Sequence, residues 1–151
     1  MDYLHTKNKM KLSHILIVIA QVVLIFCIAY FGDVWGNVYL NVIMVVAVSI
    51  ILWTIASLGF YAHPLPEVRE GQKLVISGPF RFVRHPIYSA GLLLTLVWAI
   101  NKPSAIVFVA WIALLILLIY KINIEEKSLR KKFPEYEAYQ KRTKKLIPGI
   151  Y

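Results

Sequence analysis

Twelve residues from Ser77 to Tyr88, Ser-Gly-Pro-Phe-Arg-Phe-Val-Arg-His-Pro-Ile-Tyr, hold two arginines, a histidine, two prolines and three aromatics between two long apolar segments. Cations beside membrane-grade apolar runs are costly unless they meet an anion or serve a function. Arg81, Arg84 and His85 could hold a carboxylate or phosphate through charge-assisted hydrogen bonds. The plainer reading is a basic interfacial loop meeting lipid phosphates, with His85-Pro86 serving as cap and first-turn proline of the next helix. A metal centre is not expected. His5, His14, His63 and His85 share no ligand spacing, and the single Cys27 sits inside an apolar run. No Gly-rich phosphate loop, triad spacing or soluble dinucleotide fingerprint occurs.

A second set of candidates lies near Lys121, where the last apolar run ends. Glu125 and Glu126 follow it, and Leu129, Phe133, Tyr136 and Tyr139 are set among Lys and Arg. Spacing of three and four puts Leu129 with Phe133, and Tyr136 with Tyr139, on helical stripes that Pro134 separates. These predict amphipathic C-terminal helices lying on the membrane surface. Glu126 with Arg130, and Lys121 with Glu125, could be ordinary i,i+4 surface pairs. Adjacent helical residues point about 100° apart, so the two glutamates are not expected to share one target. Glu125, nearer the apolar run, is the better site candidate.

The elements that must position these groups are helices in a membrane. Of 151 residues, 59% are hydrophobic and 17% charged, and the apolar residues fall in long runs, which indicates a polytopic membrane protein rather than a soluble domain. The run from Leu12 to Phe31 is 20 residues, and about 30 Å of helix spans a bilayer core. A signal peptide competes for this stretch, but the run is long and no Ala-x-Ala site follows. Val38 to Ala62 is a second span, interrupted only by small or neutral polar residues and closed by His63-Pro64. Runs near 86 to 100 and 104 to 121, turning at Asn101-Lys102-Pro103, read as a helical hairpin, with a re-entrant pair as the alternative. The expected fold is all-α, one integral membrane domain over 1–151. Two N-terminal spans occupy 1–62; the loop, hairpin and tail occupy 63–151.

Charge placement orients this scheme. Lys7, Lys9 and Lys11 precede the first span, Arg69, Lys73, Arg81 and Arg84 lie in the middle loop, and nine basic residues follow from Lys121 onward. Only Lys102 lies in the other two loops. Both termini are therefore expected in the cytoplasm. Topology and anionic membrane lipid account for the net charge of +9, so nucleic acid is not an expected partner.

The block Gly78 to Tyr88, followed by Glu125-Glu126-Lys127-Ser128-Leu129, then Phe133-Pro134-Glu135-Tyr136, Tyr139, Arg142 and Leu146-Ile147-Pro148, resembles the isoprenylcysteine carboxyl methyltransferase family of integral membrane enzymes. The likeness covers about Gln72 to Pro148. It implies S-adenosylmethionine as cofactor, bound by strand-like residues Gln72, Lys73, Leu74 and Val75, by Phe80, and by Arg84, His85, Pro86, Ile87 and Tyr88. It also implies that Glu125 and Lys121 serve catalysis, and that Lys121, Glu125 and Arg142 meet the substrate. The better-known members have arginine where this chain has Lys121, so a point charge replaces a planar fork.

These residue types suit that chemistry. The cofactor presents a carboxylate, an ammonium, ribose hydroxyls and adenine, and needs a cationic or NH-rich partner, an acidic or carbonyl partner and an aromatic wall. Methyl transfer at a sulfonium gains mostly from holding nucleophile and methyl in line. The expected acceptor is a lipophilic or prenylated carboxylate entering between helices. A phospholipid amine, or a non-catalytic protein binding anionic lipid, are the alternatives, and nothing in the sequence fixes the oligomeric state.

Overall fold

The computed structural model describes residues 2–66 and 71–151, with side chains described from Leu12 onward. Arg69 and the side chains of Lys7, Lys9 and Lys11, which entered the charge count, lie outside the described residues. Among the described residues there are five α-helices and no strand. They are α1 (Asp2–Phe31), α2 (Val38–Leu58), α3 (Pro86–Asn101), α4 (Ala105–Lys132) and α5 (Tyr136–Arg142).

Three stretches are long and apolar enough to cross a membrane: Leu12–Phe31, Val38–Tyr61 and Ala105–Lys132. Helices of this length and apolar character match the thickness of a bilayer core. The α3 helix is apolar but only 16 residues long, about 24 Å at 1.5 Å per residue. Asn37 caps α2 through Tyr39 N–H, and Ser104 caps α4 through Val107 N–H, each satisfying a donor left open in a first helical turn. The α2 helix ends at Leu58 because Gly59 takes a positive φ of 55°, and a single 3₁₀ turn continues to Tyr61. That stop comes before the His63-Pro64 signal. The neutral polar residues of α2 bond back along their own helix. Ser49 donates to Val45 O, Thr54 to Ile50 O and Ser57 to Trp53 O.

α1 packs along α4 and α2 along α3, while α3 bridges the two pairs. The shared core is Ile28 of α1, Leu92 and Ala99 of α3, and Val107, Ala110, Leu114, Leu118 and Ile122 of α4. Most other large apolar side chains of α1 and α2 are exposed, as expected of surfaces that face lipid. At one end the two turns are stitched together. Asn101 donates to Asp33 O at 3.0 Å and accepts from Asn37 N–H at 3.1 Å, and Asp33 N–H donates to Trp98 O. Only glycine fits at Gly32, where a Cβ would lie 2.7 Å from Trp98 O.

At the other end the structure departs from expectation in two respects. The α4 helix does not stop near 121. It runs unbroken to Lys132, and Phe133 caps it ahead of Pro134. The aromatic stripes of the tail also turn inward. Phe133, Tyr136 and Tyr139 are buried together against Leu74, Phe80 and Leu129, so the loop, rather than the membrane surface, covers them. A helical stripe announces that something covers it without saying what.

Candidate functional site

The loop returns to the bundle through Gly78, whose φ of 60° favours glycine and whose Cβ would come 2.8 Å from Ser57 Oγ on α2. A 3₁₀ turn over Gly78–Arg81 follows. Residues 83–85 then lie alongside the tail: Val83 and Lys144 form a parallel bridge, Arg84 N–H donates to Lys144 O, and His85 N–H donates to Lys145 O. The strand-like pairing thus falls at 83–85. Gln72, Lys73, Leu74 and Val75, expected to be strand-like, form no strand. Pro86 opens α3 as its first residue, but the His85 side chain caps nothing.

Arg84 and His85 face two carboxylates on α4. Arg84 Nε donates to Glu126 Oε1 at 2.7 Å, and its Nη1 donates to the backbone oxygens of Gln140 and Thr143. Gln140 Nε2 donates to Glu126 Oε2 at 3.1 Å. Glu126 is 1% exposed, so the buried carboxylate is held by two donors and joins the loop to α4 and α5. His85 lies between both glutamates, Nε2 3.4 Å from Glu126 Oε1 and Nδ1 3.9 Å from Glu125 Oε2. The two glutamates therefore do share a target, because an imidazole has a nitrogen on each side. Tyr88, one turn into α3, stacks on His85 and donates to Glu125 Oε2 at 2.9 Å.

Lys121 is buried at 1% exposure. Its ammonium donates to Gln21 Oε1 on α1 at 2.7 Å and lies 5.2 Å from the centre of the Tyr88 ring. A cavity of about 470 Å³, within the range of about 300–1,000 Å³ usual for small-molecule sites, is lined by Arg84, His85, Pro86, Ile87, Tyr88, Lys121 and Glu125, with Phe80 and apolar residues of α2. A smaller recess of about 50 Å³ adjoins it, sharing Leu58, Phe80, Arg84 and Glu125 and lined further by Gln72 to Val75, Leu129, Tyr136 and Tyr139.

Eleven of the candidate residues therefore gather around the cavity and its adjoining recess, and Lys73 reaches the recess from an otherwise exposed position. Two arginines do not join. Arg142 is exposed at the end of α5, and Arg81 is exposed with its guanidinium over Phe82. Three participants escaped the sequence reading. Glu126 resembled a surface partner of Arg130, which does approach it, at 3.8 Å. Gln21 lies 100 residues from Lys121, although it is the one amide between Ile15 and Phe31. Tyr136 showed in a stripe and in the family-like block, but was given no role at the site.

The two tail tyrosines are neutral donors at any physiological pH. Burial pushes the Tyr139 hydroxyl up to about 12, and it donates to Phe80 O at 2.6 Å. Burial, and next the nearby Glu126 charge, raise Tyr136 further, yet its buried hydroxyl has no hydrogen-bond partner in the protein. An orphaned buried donor beside a recess is what a bound polar ligand would satisfy. With Glu125 for an ammonium and Phe80 for an aromatic wall, this donor set fits the cofactor that the resemblance implies. Among the described residues no group of three or more His, Cys, Asp or Glu could hold a metal ion.

The chain is 32% identical over 83 residues to the cobalt-zinc-cadmium resistance protein CzcN of Cupriavidus metallidurans, which covers 54% of the chain and 38% of that protein. It is 24% identical over 153 residues to the nickel-cobalt-cadmium resistance protein NccN of Alcaligenes xylosoxydans xylosoxydans, covering 99% of the chain and 69% of that protein. The phospholipid methyltransferase family matches residues 37–136, which take in both clusters of charged site residues. That match covers about two thirds of the chain, and it makes this protein a member of the phospholipid methyltransferase family.

Proposed function

We propose that the protein transfers a methyl group from S-adenosylmethionine to a lipophilic acceptor at the cytoplasmic face of a membrane that it crosses four times, with both termini cytoplasmic. The observation that carries this reading is the cavity. One side is apolar wall from α2, Ile55 and Leu58, and the other is Arg84, His85, Tyr88, Lys121 and Glu125. A headgroup can meet charges there while its tail stays in lipid.

Bound S-adenosylmethionine would supply an electrophilic methyl on a sulfonium, and Gln72 to Val75, Phe80, Tyr88, Glu125 and Tyr136 are the residues that would hold it. The chain's own contribution is placement. Lys121 holds an anionic acceptor group, and its charge is buried, where an ion interacts more strongly than in water. Arg84 and Glu126 keep the loop closed over the site. We favour a carboxylate acceptor of isoprenylcysteine type, since a carboxylate is already ionised at neutral pH and needs a cation to orient it rather than a base. Methylation of a phospholipid amine is the second reading. The His85 to Glu125 approach favours it, as that pair could take the proton a protonated amine must lose.

Incubating membranes that contain the protein with methyl-labelled cofactor tests the proposal. Label is expected in the organic-extractable fraction, in a product heavier than its acceptor by one CH₂ group plus the mass of the label. Absence of extractable label across prenylcysteine and phospholipid acceptors would overturn it.

A further inference from the structure

The α1 helix lies before the residues that the family match covers, yet it supplies a lining residue of the cavity. Gln21 falls on the same face as Ile17 and Ile28, the two buried apolar residues among the described side chains of α1, spaced four and seven residues away. That face looks into the bundle. An amide there needs a partner, and Lys121 provides one at 2.7 Å. The reverse explanation fails on energy, because a buried ammonium opposite a neutral amide is a poor way to tie two helices together. Replacing both by apolar side chains would hold α1 to α4 at least as well. An ionisable group kept at membrane depth is expected to serve a function.

The chemistry of the pair says which. An ammonium has three donors and no acceptor, so the amide must present its oxygen to Lys121 and keep its two N–H groups as donors. The Tyr88 ring takes one side of the ammonium. Lys121 and Gln21 both line the cavity, and Thr54, buried there, already spends its hydroxyl hydrogen on Ile50 O and can only accept. We infer that Gln21 and Lys121 together form a subsite for the anionic group of a lipid, a carboxylate or a phosphate, and that Gln21 is a positioning residue setting where that anion rests. The inference builds on the methyltransferase reading, but binding alone can test it.

Gln21→Leu removes both the bond to Lys121 and the amide donors. Gln21→Glu keeps the bond, and with it the tie between α1 and α4, but places a negative charge beside the ammonium. The probes are S-farnesylcysteine, its methyl ester, and dioctanoyl phosphatidate, titrated by calorimetry into the full chain in neutral detergent without cofactor. Wild type is expected to bind the free acid at least about tenfold tighter than the ester, and both variants to lose about tenfold for the acid. A matching preference for phosphatidate would make phosphate the anion; its absence would leave the carboxylate. Wild-type affinity in Gln21→Glu would reduce Gln21 to a helix tie and overturn the inference. So would equal binding of acid and ester by the wild type. Should the wild type bind the acid as expected yet transfer no methyl group, the methyltransferase reading fails and the anion subsite stands.

Discussion

The two ends of the helix bundle solve the same problem with different chemistry. Where the α1–α2 and α3–α4 turns meet, one neutral amide, Asn101, joins Asp33 to Asn37. Where the loop and tail meet α4, the join is made by Arg84 and Glu126, with His85 and Gln140 completing it. Neutral hydrogen bonds suffice to hold helix ends together. Burying opposite charges costs desolvation that apolar packing avoids, so the ionic end is explained by what it presents to the cavity rather than by stability.

Breaking the ionic end should have the largest effect. Glu126→Ala leaves Arg84 buried without its counter-charge, and we expect about 3–5 kcal/mol of lost stability, read as the shift of an unfolding midpoint in detergent. An unchanged midpoint would mean that the loop is held otherwise. Arg84→Ala should behave similarly, since its guanidinium is committed to Glu126 and to two carbonyls of the tail rather than waiting in an open loop.

Next comes the pH dependence of the reaction. With a carboxylate acceptor kcat should be nearly flat from about pH 6.5 to 8.5, whereas an amine should give a rise of about tenfold or more. If the rise occurs and Glu125→Gln abolishes it, the amine reading replaces the carboxylate.

Asn101→Ala sharpens the contrast from the neutral end. Losing two backbone partners should lower stability by about 1–2 kcal/mol, while affinity for S-adenosylhomocysteine stays at the wild-type value. A matching loss of affinity would show that the two ends are coupled. Smallest is Tyr136→Phe. Its hydroxyl has no partner in the protein, so stability should hold or rise by up to about 1 kcal/mol. Affinity for S-adenosylhomocysteine should nevertheless fall about tenfold, and no change would remove Tyr136 from the cofactor set.

Much of this was legible in the sequence because membrane helices are written in long apolar runs. The Leu12, Val38 and Ala105 segments could be read without any partner information. The candidate site was legible where polar and charged groups are concentrated locally, as in Arg84-His85-Pro86, which line the cavity. What could not be read was pairing across distance. Glu126 and Arg130 fit a surface pair equally well, and only the fold brings Arg84, 42 positions away, to the same carboxylate. The stop of α4 was misplaced because hydropathy falls at Lys121 although nothing there interrupts a helix; Pro134 does. Gln21 was passed over because a single amide in an apolar run carries no sign of which helix will meet it.

The bridge between Val83 and Lys144 also dictates an order of assembly during synthesis. The tail residues that complete the pairing, and the Thr143 carbonyl that receives Arg84, are made only after α4 is complete. A nascent chain can therefore complete α1 to α4 while Arg84 still lacks its tail partners. The tail then acts as the closing step of biogenesis, so that a chain stopped at Lys132 should insert normally yet be cut by trypsin after Arg84, where the finished protein resists.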